Sequence, residues 1–230
     1  SKRNGEVSIA WYREQGYLPE AICNYLALLG WSPGDDRENV TMAELCELFT
    51  VDKVHSSPAR FDMKKLEAIN GDKIRALTLD DFLKWSLPFL TKANVISGSD
   101  AEIALVKQAL PLSQERIVKL DEVPAMLRFL FVKDFKVEEA SLPKVSDSAS
   151  KDVLKRSLAE LTPLTTWNHE SIEAALRTSL IEEMGLKPRI AFGAVRIATT
   201  GSTISPPLFE SMELLGKDAC LARITAALAL

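Results

Sequence analysis

Histidine and cysteine are scarce in this 230-residue chain, which has His55 and His169 and the three cysteines Cys23, Cys46 and Cys220. No two of them share metal-ligand spacing, so a zinc site is not expected. Two scattered histidines also leave no Ser-His-Asp or Cys-His pairing for nucleophilic catalysis. The cysteines are odd in number and far apart in apolar helical surroundings, which predicts buried, reduced thiols. Long apolar runs are missing as well. None approaches the roughly 18 residues of a membrane span, so no membrane association is expected and the chain reads as soluble and intracellular. Alternating strand patterns are nearly absent, and no period of 33 to 47 residues recurs, which argues against a sheet fold and against an α-solenoid. Bulk positive charge is lacking too: the formal net charge of -4 excludes a protein that coats nucleic acid by charge alone.

What is present is a foldable chain, 47% apolar, with abundant helix signals. Pro19 at a first turn, the apolar set Ile22, Tyr25, Leu26 and Leu29, and Gly30 as a stop predict a helix near 19–29. Thr41 and Glu44 form a capping box ahead of Leu45, Leu48 and Phe49. Asp62 caps a third helix expected to close at Asn70-Gly71, and Thr78 opens a fourth through Phe82 and Trp85. Further helices are expected near 99–110, 121–131, 148–161, 168–184, 206–215 and 217–228, giving an all-α array. The pattern breaks near 90–98 and, more clearly, at the Ser-rich "ASLPKVSDSAS" over 140–150, which reads as a linker or exposed turn.

Charge distribution says more than its sum. No acid occurs from Met184 to Phe209, while Lys187, Arg189 and Arg196 do. Such a stretch approaches a polyanion without local repulsion, although a loop of chance composition is an equal reading. Trp11, Tyr12, Tyr17, Tyr25 and Trp31 suggest a stacking platform, yet their helical spacing favours core packing. Asp35-Asp36 after Pro33-Gly34 is a solvated turn sooner than a Mg²⁺ site, and Lys64-Lys65 is a basic helix start.

Two quoted stretches carry a family resemblance. "SKRNGEVSIAWYREQGYLPEAICNYLALLGWSPGDD" followed by "FDMKKLEAIN" resembles the segment of glutamyl-tRNA synthetases that begins at their KMSKS-type signature loop. The matching positions include Ser1-Lys2-Arg3, Tyr12-Arg13, Gly16 to Ala21, Asn24 to Leu26, Leu29 to Ser32, Phe61-Asp62, Lys65-Leu66 and Asn70. "LDEVPAMLRFLF" and "GAVRIATTGSTISPPLFESMELLGKD" are similar to the helical anticodon-binding region of the bacterial enzymes. Together the two cover nearly the whole chain. Glutaminyl enzymes share the first set but carry β-barrels in place of the second.

The resemblance implies a C-terminal portion of a class I glutamyl-tRNA synthetase, opening inside the signature loop. The implied organisation is a helical stem-contact region over 1–90 and a two-part α-helical anticodon-binding domain over 91–143 and 144–230. The parent enzyme would ligate glutamate to tRNA(Glu) using ATP with Mg²⁺. The fragment alone is expected to bind RNA without catalysis and without a bound cofactor. By resemblance Ser1, Lys2 and Arg3 lie in the ATP-binding loop, with Lys2 on the phosphates. Arg116 aligns without a gap, counting back from Leu127 to Phe131, with the arginine that reads the last anticodon base. Arg196, Ser205, Pro206 and Leu208 fall at the other anticodon contacts. Pro207 stands where the family commonly has Gly, leaving less room for close backbone approach. Ser205-Pro206 also reads as a helix start whose open N–H groups suit a base or phosphate. The alternative for Arg116 is a surface pair with Glu115 or Asp121. The expected protein is a cytoplasmic monomer, with tRNA(Gln) open as a second substrate. The rival from another class is a helical protein–protein interaction module without RNA binding.

Overall fold

The computed structural model describes residues 8–35, 37–55 and 60–230. Among the described residues every regular element is helical. The chain divides into two compact units, one of residues 1–93 and 114–124, the other of residues 94–113 and 125–230.

The first unit holds α1 (Ile9–Glu14), α2 (Pro19–Leu28), α3 (Met42–Leu48), α4 (Met63–Arg75) and α5 (Leu79–Lys92). Local chemistry sets most of these starts. Pro19 occupies the first turn of α2. In α3 the Thr41 hydroxyl accepts from Glu44 N–H while the Glu44 carboxylate accepts from Thr41 N–H. Asp62 accepts from the N–H groups of Lys64 and Lys65 at the head of α4, and the buried Tyr25 hydroxyl accepts from Asp62 N–H. The α2 and α4 helices pack together, burying Ala21 and Tyr25 on one and Leu66, Ile69 and Ile74 on the other. Trp31, Val40 and Leu45 form a small satellite cluster. Tyr17, Tyr25 and Trp31 are buried as core aromatics, while Trp11 and Tyr12 are half-buried in ring contacts.

Three expectations change here. The α4 helix does not stop at Asn70-Gly71 but runs to Arg75, because Gly71 keeps a negative φ and Asn70 spends its amide on distant partners. The buried face of α2 is Ala21, Asn24 and Tyr25, leaving Leu26 exposed. Asn24 is inside because its amide pairs with Glu38 C=O and Val40 N–H, closing the loop after α2. Cys23 and Cys46 are exposed and only Cys220 is buried, where burial pushes its thiol up to about 12.

The second unit begins with α6 (Asp100–Gln114), whose Val106, Ala109 and Leu110 are fully buried. It continues with α7 (Val123–Leu127), α8 (Pro143–Ser146), α9 (Ser148–Leu161), α10 (His169–Leu176), a π-helical run over Arg177–Glu183, α11 (Pro188–Thr200), α12 (Leu208–Leu215) and α13 (Lys217–Leu228). Its core is a three-helix packing of α9, α11 and α13 beside the α10–α12 pair. The α11 helix contributes Ala191, Ala194, Val195 and Ala198 at helical spacing, small residues that let neighbouring backbones come close. The "ASLPKVSDSAS" segment is not an exposed linker. Ser141 and Val145 are buried, and Asp147 caps α9 through Ser150 N–H. The region expected as one helix over 121–131 is instead α7 flanked by two 3-10 turns.

Candidate nucleic-acid interface

The acid-free window is largely a helix, α11, which composition alone disguised as a loop. Pro188 opens it, and Gly201 ends it in the left-handed region with φ +86. Glycine is demanded there twice, since a Cβ would lie 3.1 Å from Lys136 O and 3.3 Å from the Phe135 ring. Gly201 C=O also accepts from Glu138 N–H at 2.9 Å. The turn that follows folds back on the helix. Arg196 donates through Nη1 to Ser205 Oγ and to Pro206 O, the latter at 2.8 Å, while Ser205 Oγ donates to Pro206 O at 2.9 Å. Ser205 and Pro206 are buried by this closure, and Leu208 joins the hydrophobic core. Arg196, Ser205, Pro206 and Leu208 are thus brought together.

The expected helix start at Ser205-Pro206 is corrected: α12 begins at Leu208 with Pro207 as its cap residue. Ser205 faces Arg196 and makes no cap hydrogen bond, because the guanidinium offers its hydroxyl a charged donor. Behind the turn lies Arg223, which sequence reasoning passed over. It donates to Thr199 O at 2.7 Å and Phe129 O at 2.8 Å, and its guanidinium sits 3.8 Å from the centre of the Phe135 ring. Burial lowers its pKa, and its partners are carbonyls and a ring face in place of a carboxylate. The one hint in the sequence was a lone cation in the apolar "ACLARITAALAL".

Arg116 belongs to the other unit and stands on a short loop after α6. The loop is clamped at both ends. Gln114 Nε2 donates to Ile74 O at 2.8 Å and Leu77 O at 3.0 Å, closing the carbonyl end of α4. Asn70 Nδ2 donates to Val118 O at 2.6 Å, while Asn70 Oδ1 accepts from Leu18 N–H at 2.8 Å. Ile117 is fully buried between these clamps. Leu120 N–H donates to Gly16 O at 3.0 Å, and Gly16, at φ +82, approaches so closely that a Cβ would lie 2.5 Å from the nitrogens of Leu120 and Asp121. Arg116 itself is exposed and makes no hydrogen bond or ion pair among the described residues. The alternative pairing with Asp121 does not form; Asp121 faces Lys119 at 3.6 Å, and burial raises the pKa of both Asp121 and Glu122. The loop therefore presents an unengaged guanidinium from a fixed base.

Ser1, Lys2 and Arg3, and the ATP contacts the resemblance implies for them, lie outside the described residues, as does Asp36. Lys65 pairs with Glu38 at 2.7 Å. Among the described residues no group of His, Cys, Asp or Glu converges to hold a metal, and no helix is long and apolar enough to cross a membrane.

Comparison with known proteins covers nearly the whole chain. The profile of the family described as "tRNA synthetases class I (E and Q), catalytic domain" matches residues 1–68, and that of "Anticodon binding domain" matches residues 73–228. A glutamate–tRNA ligase of Saccharopolyspora erythraea is 45% identical over 231 residues, covering 99% of this chain and 46% of that protein. One from Nocardioides sp. is 47% identical over 232 residues, covering 99% of this chain and 47% of its own length. The chain thus spans about half the length of the curated relatives it matches. The crystal structure of a glutamate tRNA ligase from Elizabethkingia meningosepticum superposes with a TM-score of 0.78 at 26% identity, covering 100% of this chain and 48% of that one. With residues 1–68 matching the catalytic-domain profile of class I tRNA synthetases, the chain belongs, over the greater part of its length, residues 73–228, to the anticodon binding domain family.

Proposed function

We propose that this chain is the RNA-recognising part of a glutamate–tRNA ligase, a cytoplasmic monomer that joins glutamate to tRNA(Glu) with ATP and Mg²⁺. The observation that carries the reading is the anticodon-binding match over 73–228 together with an outward, unengaged arginine on a clamped loop. In this reading residues 1–90 contact the tRNA stem, and 91–143 and 144–230 form the two parts of the anticodon-binding domain. Arg116 reads the last anticodon base. A planar guanidinium can donate to a base edge or stack on a base plane, and an unpaired anticodon base exposes both. Arg196 holds Ser205 and Pro206 in the turn that meets the other bases, and Leu208 anchors the turn's far end in the core. Ser1, Lys2 and Arg3 serve the ATP phosphates, a lysine ammonium there offsetting charge that develops during adenylyl transfer.

The test is a titration with tRNA(Glu), tRNA(Gln) and a scrambled RNA hairpin at two salt concentrations. Binding to tRNA(Glu) should exceed binding to the hairpin at both, and the tRNA(Gln) arm measures whether that tRNA is a second substrate. Equal and negligible binding to all three would replace this reading with that of a protein–protein interaction module. Arg116→Ala should weaken discrimination at the last anticodon base more than it weakens total binding.

A further inference from the structure

The α11 helix has two faces. Ala191, Ala194, Val195 and Ala198 face the core, while Arg189, Phe192, Gly193 and Arg196 line an open groove of about 690 Å³ with Lys144 and Asp147 on its other wall. Gly193 is the informative residue. It sits inside the helix with a negative φ, so no turn requires it. A Cβ added there meets nothing within 4 Å, so no packing contact requires it either. Glycine is a poor helix residue, and neither of its usual structural reasons applies at this position. What it supplies is a strip of bare backbone on the groove floor.

The groove's charge points the same way. Arg189 and Lys144 are exposed and meet no acceptor among the described residues. The carboxylate of Asp147 is turned to Ser150 N–H at 2.9 Å and Ser150 Oγ at 2.8 Å, where it caps α9. The stretch of chain that forms the floor contains no acid from Met184 to Phe209. We propose that this groove is a phosphate–ribose track for single-stranded RNA, with Arg189 and Lys144 contacting phosphates and Gly193 letting the strand lie against the helix. The proposal rests on the RNA-binding reading above and extends it to residues outside the base-reading set. Such contacts position a strand without reading its sequence.

The experiment measures binding of the whole chain to a labelled seven-nucleotide pyrimidine oligoribonucleotide and to the tRNA(Glu) anticodon stem-loop across a salt series. Arg189→Ala and Lys144→Ala should each weaken both RNAs about 3- to 10-fold and make the log–log salt slope shallower by roughly 0.7, the share of one phosphate contact on a single strand. Gly193→Leu should weaken both at least about 10-fold while the melting temperature stays level or rises, since leucine is the better helix former and has open space. If the unaltered chain binds neither RNA, the RNA-binding reading itself fails. If it binds and all three variants bind equally well, the groove proposal alone is overturned. A hexaglutamate peptide competing as well as RNA of equal charge would also overturn it, in favour of an acidic protein segment. Arg189→Ala is a surface change and carries the test should Gly193→Leu fail to fold.

Discussion

In the unit of residues 1–93 and 114–124, the loop after α6 turns its arginine to solvent and is held from beneath by amides, Asn70 and Gln114. In the other unit the loop after α11 does the reverse: Arg196 and Arg223 are spent on carbonyls and a hydroxyl, and the turn itself is what the surface displays. The same side chain is left open to solvent in one place and is a brace in the other. The difference follows from what lies within reach. A guanidinium is always charged and carries five donors, so where carbonyls converge it satisfies several at once, and where none do it stays available.

The contrast is most sharply broken at Gly16, which carries the Arg116 loop from below. Gly16→Ala would place a methyl 2.5 Å from two backbone nitrogens at a positive φ, and we expect about 4 kcal/mol of lost stability. Urea unfolding checks it; a loss below about 1 kcal/mol would show that the loop relaxes freely and that its clamping is nominal. Arg223→Ala comes next. It strands the carbonyls of Thr199 and Phe129 and removes the contact with Phe135, a loss of about 3 kcal/mol. Since Arg223 lies behind the turn, RNA affinity should fall with it, and restoring stability elsewhere should not restore affinity.

The paired substitutions at the two arginines sharpen the comparison directly. Arg196→Ala should cost about 2 kcal/mol, because its guanidinium closes the turn onto α11. Arg116→Ala should change stability by no more than about 0.5 kcal/mol, since it braces nothing. Both should weaken tRNA binding. Equal stability losses, read by thermal melts of the two variants, would erase the distinction between open arginine and brace.

What the sequence revealed of these loops depended on the reach of each interaction. The capping of α3, α4 and α5 was legible because the partners lie within three residues of one another. Asn70 was misread as a helix stop because its main acceptor, Val118 O, is 48 residues away and is a backbone atom with no signature. Gln114 and Arg223 stayed invisible for the same reason. The α11 helix carries no acid at its head and no side-chain cap to announce it, although Pro188 and Gly201 bracket it and its alanines recur at helical spacing. The expected base contacts were nameable only because the family motif surrounds them. Their division into an outward and an inward arginine needed the fold.

The smallest expected effect separates the units by pH. In the second unit His169 Nδ1 lies 2.7 Å from Glu213 Oε2, and His169 N–H donates to the same oxygen at 2.9 Å, joining the start of α10 to α12. Donating its ring N–H to the Glu213 carboxylate raises the histidine above its ordinary value, and the two donors of His169 hold the carboxylate below its own. A raised histidine contributes stability that is fully present below its unfolded pKa of about 6.5 and is lost as pH rises through the folded value. A lowered carboxylate contributes stability present above its unfolded value, about 4.3, and lost as pH falls through the folded one. The pair is therefore most effective between about pH 5 and 6, and its exposure to solvent keeps the contribution small. His169→Asn should flatten the loss of stability between about pH 6 and 8 while leaving the behaviour near pH 9 unchanged. A pH profile of melting temperature that is identical for the two proteins would mean that the α10–α12 packing, and not this ion pair, holds that end of the unit together.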